Sequence, residues 1–245
     1  MLNIPNIQQA MSVFVAEELS EVLNTKVVIG RINMGLLNRI IIDDVLLDDQ
    51  SGQEMLKVTR LSAKFDIMPF FKGKISISSV QLFGFNINLR KETPDSPPNF
   101  KFVLDAFASK DTVKKDPPLD LRINSILIRR GRMSYHVLSE EETPGKFNAK
   151  HIQLQNIIAN ISLKALSKDS LNLGIKRLSL DEKASGFSLK KMSLKLVANN
   201  KQTNIDNFTI ELPETSLKLD TIHLEYDSLK AFDRFTEPVS YTHLR

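Results

Sequence analysis

From Lys26 onward the chain alternates apolar and polar residues, with a recurring slip. The unit reads apolar, polar, apolar, two polar residues, apolar, polar, apolar. Clean copies are Leu56-Val58-Leu61-Ala63, Ile75-Ile77-Val80-Leu82, Phe147-Ala149-Ile152-Leu154, Leu173-Ile175-Leu178-Leu180, Phe187-Leu189-Met192-Leu194 and Leu217-Leu219-Ile222-Leu224. Looser ones are Val27-Ile29-Ile32-Met34, Ile40-Ile42-Val45-Leu47, Leu121-Ile123-Ile126-Ile128 and Thr203-Ile205-Phe208-Ile210. With 42% hydrophobic residues, random order would give about one clean copy, so the repeat is a signal. Period two predicts strands. A doubled polar step would turn the second apolar pair to the opposite face unless a β-bulge absorbs the extra residue. Bulges at one depth in many strands predict a curved sheet with one continuous apolar face.

Before the strands, apolar residues at Ile7, Met11, Phe14, Val15, Leu19 and Val22 follow the three-and-four spacing of a helical stripe. Pro5 suits the first turn of this helix and Asn24 a left-handed stop. It is expected either to pack on the core or to continue a membrane anchor. Between two β stretches, Pro94, Pro97, Pro98, Pro117 and Pro118 exclude a paired sheet over much of 91–119. Inside this segment Asn99 is expected to cap a short helix, 99–109, with an apolar face of Phe100, Val103, Leu104 and Phe107. That helix serves either as a crossover on the sheet edge or as a plug at the end of an apolar groove.

The expected fold is therefore mainly β: a curved, bulged antiparallel sheet forming an elongated apolar groove, with an N-terminal amphipathic helix and one short helix in a Pro-rich linker. The expected organisation is a helix at 1–24, a first β-groove unit at 25–90, the linker at 91–119, a second β-groove unit at 120–232 and an irregular or foreign tail at 233–245. Groove-lining positions read from the repeat begin with Ile40, Ile42, Val45 and Leu47, then Leu61, Ala63 and Phe65, then Ile75, Ile77, Val80 and Leu82. After the linker come Leu121, Ile123, Ile126 and Ile128, followed by Ile152 and Leu154. The last group is Leu173, Ile175, Leu178 and Leu180, then Leu189, Met192 and Leu194, then Leu219, Ile222 and Leu224. An exposed strand at 217–224 is expected to be an edge that associates with copies of itself.

Composition changes this picture little. The chain has 245 residues, enough for a sizeable core, and a net charge of +4, which is weak support for a polyanionic partner. Zero cysteines remove disulfides and thiolate chemistry. The absence of Trp, with only three Tyr, argues against a lipid-facing barrel, which carries aromatic girdles. No run of about 18 apolar residues is present.

Candidate chemistry is sparse. His136, His151, His223 and His243 lack a partner at metal-ligand spacing and are expected at the surface. Asp43, Asp44, Asp48 and Asp49 lack the alternating order of a calcium loop and are expected in hairpin turns. Arg129, Arg130 and Arg132 could touch phosphate, but a solvated edge or turn is the stronger expectation, so no nucleic acid is expected. No Gly-rich phosphate loop leads from strand to helix. Nothing points to an enzyme, a metal or a cofactor.

Several stretches together resemble a known family. They are Ile4-Pro5-Asn6-Ile7-Gln8-Gln9, the run from Leu23 to Arg31, the strand from Ile40 to Gln50, Ile75-Ser76-Ile77-Ser78-Ser79-Val80-Gln81-Leu82, and the stretch from Asn99 to Phe107 followed by Pro117 and Leu119 to Ile123. They resemble the amino-terminal part of the TamB (translocation and assembly module) family within the AsmA-like superfamily. The resemblance covers about Leu2 to Asp233. It implies an inner-membrane protein anchored by a helix just before this region and extending across the periplasm to a BamA-like or TamA-like outer-membrane partner. It also implies a β-groove that carries phospholipid acyl chains, or a role in assembling outer-membrane proteins, without catalysis by this segment.

Overall fold

The computed structural model describes residues 5–35, 38–65, 75–107, 119–120, 124–166 and 170–226. Helix α1 (Pro5–Leu23) precedes strands β1 (Val27–Gly35), β2 (Arg39–Asp48), β3 (Glu54–Phe65) and β4 (Ile75–Lys91). A short helix α2 (Lys101–Phe107) and the two-residue β5 (Leu119–Asp120) follow. The chain continues through β6 (Ser125–Val137), β7 (His151–Leu166), β8 (Ser170–Glu182), β9 (Ser188–Asn199), β10 (Gln202–Glu211) and β11 (Ser216–Glu225). All the strands belong to one open, curved sheet in the order β1-β2-β3-β4-β6-β7-β8-β9-β10-β11, with β5 beside the start of β4. The fold is mainly β, as expected from the period-two repeat. Leu121, Ile123 and the tail at 233–245 lie outside the described residues, as do the side chains of Ile7, Met11, Phe65, Ile75, Ile77 and Phe107.

Pairing is antiparallel except at two places. Strands β4 and β6 run parallel, with Val80 opposite Ile126 and Leu82 opposite Ile128, and β5 also runs parallel to β4. This departs from a pure meander. A parallel neighbour requires a long crossover, and the Pro-rich segment supplies it. The two β stretches on either side of that segment consequently join in one sheet.

The doubled polar step is visible in the side-chain burial. Ile29 and Ile32, three residues apart, are both buried in the cluster beneath α1. Val58 and Leu61, Leu82 and Phe85, and Leu154 and Ile157 likewise share a second cluster. Residues three apart share a face of a strand only when an extra residue is absorbed between them. The absorbing residue is in the left-handed region in β2 (Asp44, φ 56), β4 (Gly84, φ 63), β6 (Arg130, φ 55), β7 (Asn156, φ 54) and β10 (Asn207, φ 53). Asp, Asn and Gly are the residues that tolerate this conformation best, and Arg130 is the exception.

In the first half of the sheet the steps coincide. Ile29 and Ile32 face Val45 and Ile42, those face Val58 and Leu61, and these face Phe85 and Leu82, without a register shift at the step. From β7 to β9 they are staggered, and the pairing then shows explicit shifts between Gln155 and Ile158, and between Ile175 and Leu178. Two coincident bulges cancel in register; a bulge opposite a regular segment does not.

Helix α1 lies on β1. Its inward face is Ser12, Val15, Ala16, Leu19 and Leu23, whereas Phe14 is 62% and Val22 56% exposed. The expected stripe is thus rotated. Ser12 and Ala16 are small enough to let the helix axis approach the sheet, and Ser20 fastens it by accepting the Val27 N–H at 2.9 Å while donating to the Ala16 carbonyl at 2.6 Å. Asn24 ends the helix in the left-handed conformation (φ 48). The second helix covers the same cluster with Phe100, Phe102 and Val103, while Leu104 points outward, 59% exposed. Among the described residues neither helix is long and apolar enough to cross a membrane.

Candidate functional site

The candidate site is the apolar face of the sheet. Its β1–β3 end is covered by α1 and α2, and there Leu47 is buried and Ile40 and Ile42 are partly buried. Across β3, β4, β6, β7 and β8 the face is held by Val58, Phe85 and Ile157, surrounded by partly buried Val45, Leu61, Leu82, Ile128, Leu154 and Leu180. The sheet itself buries this middle region. Gly131 shows how: a Cβ there would lie 2.4 Å from carbons of the Phe85 ring and 3.0 Å from the Ile157 Cβ. The ring therefore rests directly on the β6 backbone.

Beyond the middle, the lining positions open to solvent. Ala63, Val80, Ile126, Ile152, Leu173, Ile175, Leu178, Met192 and Leu194 are half-buried, and Leu189 is buried. On β11, Leu219 is 39% and Leu224 41% exposed, with Ile222 between them half-buried. Among the described residues, the lining positions are thus more buried on the first strands and more exposed on the last. On the opposite face of the sheet, where Arg60, Phe83 and Arg129 stand in register and Gln81 faces Leu127, a cavity of about 680 Å³ is lined by these residues with Thr59 and Leu82. Apolar surface and two guanidinium-bearing residues meet there. The guanidinium of Arg130 lies 5.1 Å from the Phe83 ring centroid, a cation–π contact.

No protein-family model matches the chain, and no curated protein matches it.

Two buried carboxylates fasten the ends of the strands. Asp49, in the β2–β3 turn, accepts bonds from the N–H groups of Ser51 and Gln53 and from the Ser51 hydroxyl, and pairs with Arg90 of β4 at 2.7 Å. Burial pushes this carboxyl up, but the side-chain bonds from Ser51 and Asn99 and the two backbone bonds outweigh it and hold it below the usual range. Asp49 thus sits in the expected hairpin turn, whereas Asp43, Asp44 and Asp48 lie within β2, with Asp44 at its left-handed bulge, because the doubled polar step is absorbed inside the strand. Asn99 donates to Asp49 and to the Asn88 carbonyl and accepts the Arg90 N–H, so it ties the linker to the sheet instead of capping α2.

Glu182 plays the same part at the β8–β9 hairpin. Burial would raise its pKa; bonds from the Ser185 hydroxyl and from the N–H groups of Ser185, Ala184 and Gln153 reverse this and bring it from 4.5 to about 2. Asp181 beside it is also held low, chiefly by the Asn156 and Ser188 side chains.

Sequence reasoning missed one cluster. His151 is buried and stands opposite His136 across the β6–β7 pair, contrary to the surface placement expected of both. Their separation of fifteen residues matches no short motif. The signal that would have found them is the hairpin between the two strands, which folds positions 136 and 151 into register.

Proposed function

We propose that the open apolar face of this sheet takes the acyl chains of phospholipids and carries them along a groove, as one segment of an inner-membrane-anchored protein spanning the periplasm. The observation that supports the reading is a ten-strand open sheet whose repeat positions are apolar and, among the described residues, are packed against helices only at β1–β3. Exposed apolar surface costs about 25 cal/mol per Å² in water, so such a face is favoured by an apolar occupant. The role involves no catalysis by this segment and no nucleic acid.

The test is native mass spectrometry after purification in mild detergent, where co-purifying phospholipid is expected. Val80→Asp and Leu178→Asp are expected to lose bound lipid and keep the fold, because both sites are only half-buried. An apo protein free of lipid, unfolded by either substitution, would mean a dry, self-packed core.

A second reading has an observation of its own. Strand β11 ends the sheet among the described residues and exposes Leu217, Leu219 and Leu224. Such an edge suits pairing with unfolded strands of outer-membrane proteins, delivered to a BamA-like or TamA-like partner. Capture of an unfolded barrel strand that is lost on Leu219→Lys, with no bound lipid, would favour this reading.

A further inference from the structure

The β6–β7 hairpin gathers three metal-ligating side chains that the groove does not use. His136 is the next-to-last residue of β6 and His151 opens β7, directly opposite one another, with their Nδ1 atoms 3.0 Å apart. Glu142, in the intervening loop, places its Oε1 3.8 Å from the His136 Nδ1 and 4.0 Å from the His151 Nδ1. All three ligand atoms fall within 4.8 Å of one another.

The proton positions at this cluster follow from its partners. The Nε2 of His151 lies 2.9 Å from the Glu140 carbonyl oxygen. A carbonyl only accepts, so this nitrogen carries a proton, and the ring is held with its Nδ1 facing the His136 Nδ1. A ring that donates its far N–H to a carbonyl and turns its other nitrogen toward further ligand atoms is oriented as a metal-ligating histidine is. The surrounding charges leave the site free: Lys150 is taken by Glu140 at 2.6 Å, and Arg90, the register neighbour of His136, is turned to Asp49.

We propose that His136, His151 and Glu142 form a binding site for a divalent transition metal, zinc fitting best. Two imidazole nitrogens on a tetrahedral zinc, each about 2.05 Å from the metal, stand about 3.3 Å apart. The observed pair needs only a small separation to admit the ion. Glu142 is 64% exposed on its loop and free to close the remaining distance. Three protein ligands leave a fourth position for water. Bound metal would join the end of β6, the loop and the start of β7.

The test is titration of the full chain with zinc followed by calorimetry, with cobalt as a spectroscopic probe of geometry. Expected are one ion per chain, intense tetrahedral cobalt bands and a rise in melting temperature with zinc. His136→Ala should abolish all three, and Glu142→Gln should weaken binding by about tenfold or more. Both residues are accessible enough to be replaced without unfolding, which circular dichroism verifies. Absence of saturable binding, or binding and thermal shift unchanged in the doubly substituted H136A/E142Q chain, would overturn the assignment.

Discussion

At the scale of single residues, the sheet depends on positions where a side chain would be in the way. Gly131 has no Cβ because the Phe85 ring occupies that space. Gly131→Ala is expected to displace the ring and destabilise the fold by about 1–3 kcal/mol, read as a shift in urea midpoint. Buried carboxylates give a different residue-scale expectation. The Glu182 pKa is depressed in the folded state, so its stabilising contribution is present above the unfolded value and lost as pH falls from 4.5 toward about 2. Asp49 and Asp181, also held low, act in the same direction. Melting temperature should be level from pH 7 to 5 and decline through that acid window, and Glu182→Gln should flatten the decline while lowering the plateau. A constant melting temperature down to pH 2 would contradict the hydrogen-bonded geometry at this turn. Neither Gly131 nor Glu182 stood out in the sequence, because each matters through a neighbour brought by the fold.

At the scale of elements, much was legible. The period-two repeat located the strands, and the doubled polar pair located the bulges of β2 and β10, where Asp44 and Asn207 are its second members. In β4 and β6, however, the left-handed residues are Gly84 and Arg130, outside the pairs Ser78-Ser79 and Asn124-Ser125. The copy at Phe147-Ala149-Ile152-Leu154 instead crosses the turn into β7, and the bulge there sits one step later, at Asn156. Helix faces were less legible. Apolar spacing selected Phe14 and Val22, yet the inward side of α1 is set by the small residues Ser12, Ala16 and Ser20, which a hydrophobicity pattern undervalues. The two faces are separated by a pair of substitutions. Phe14→Ser should change stability by no more than about 0.5 kcal/mol. Ala16→Asp should cost several times that, because it buries an unpaired carboxylate against β1. Equal effects would mean that the helix is seated as its apolar spacing suggested. The β4–β6 parallel pair and the His136–His151 pair were not readable for a common reason: both depend on which segments meet across a loop.

At the scale of the whole molecule, the open end governs behaviour in solution. Strand β11 has β10 as its one neighbour among the described residues, and Leu217 is 47% exposed on it. Unpaired edges of this kind template pairing with other chains. Concentration-dependent self-association is therefore expected in analytical ultracentrifugation at about 100 μM, and Leu217→Lys with Leu219→Lys should return the protein to a monomer. A strict monomer in the unsubstituted chain, with slow amide exchange along β11, would show that edge to be covered.

The coincident steps from β1 to β4 carry one more implication. Because these strands bend at the same depth, each repeats the profile of the one before it, and the residues on either side of the bend set the curvature of this part of the sheet. The number of such strands sets only its extent. Curvature and extent are then independent variables over β1 to β4: a hairpin with the same step could be duplicated there without changing the profile.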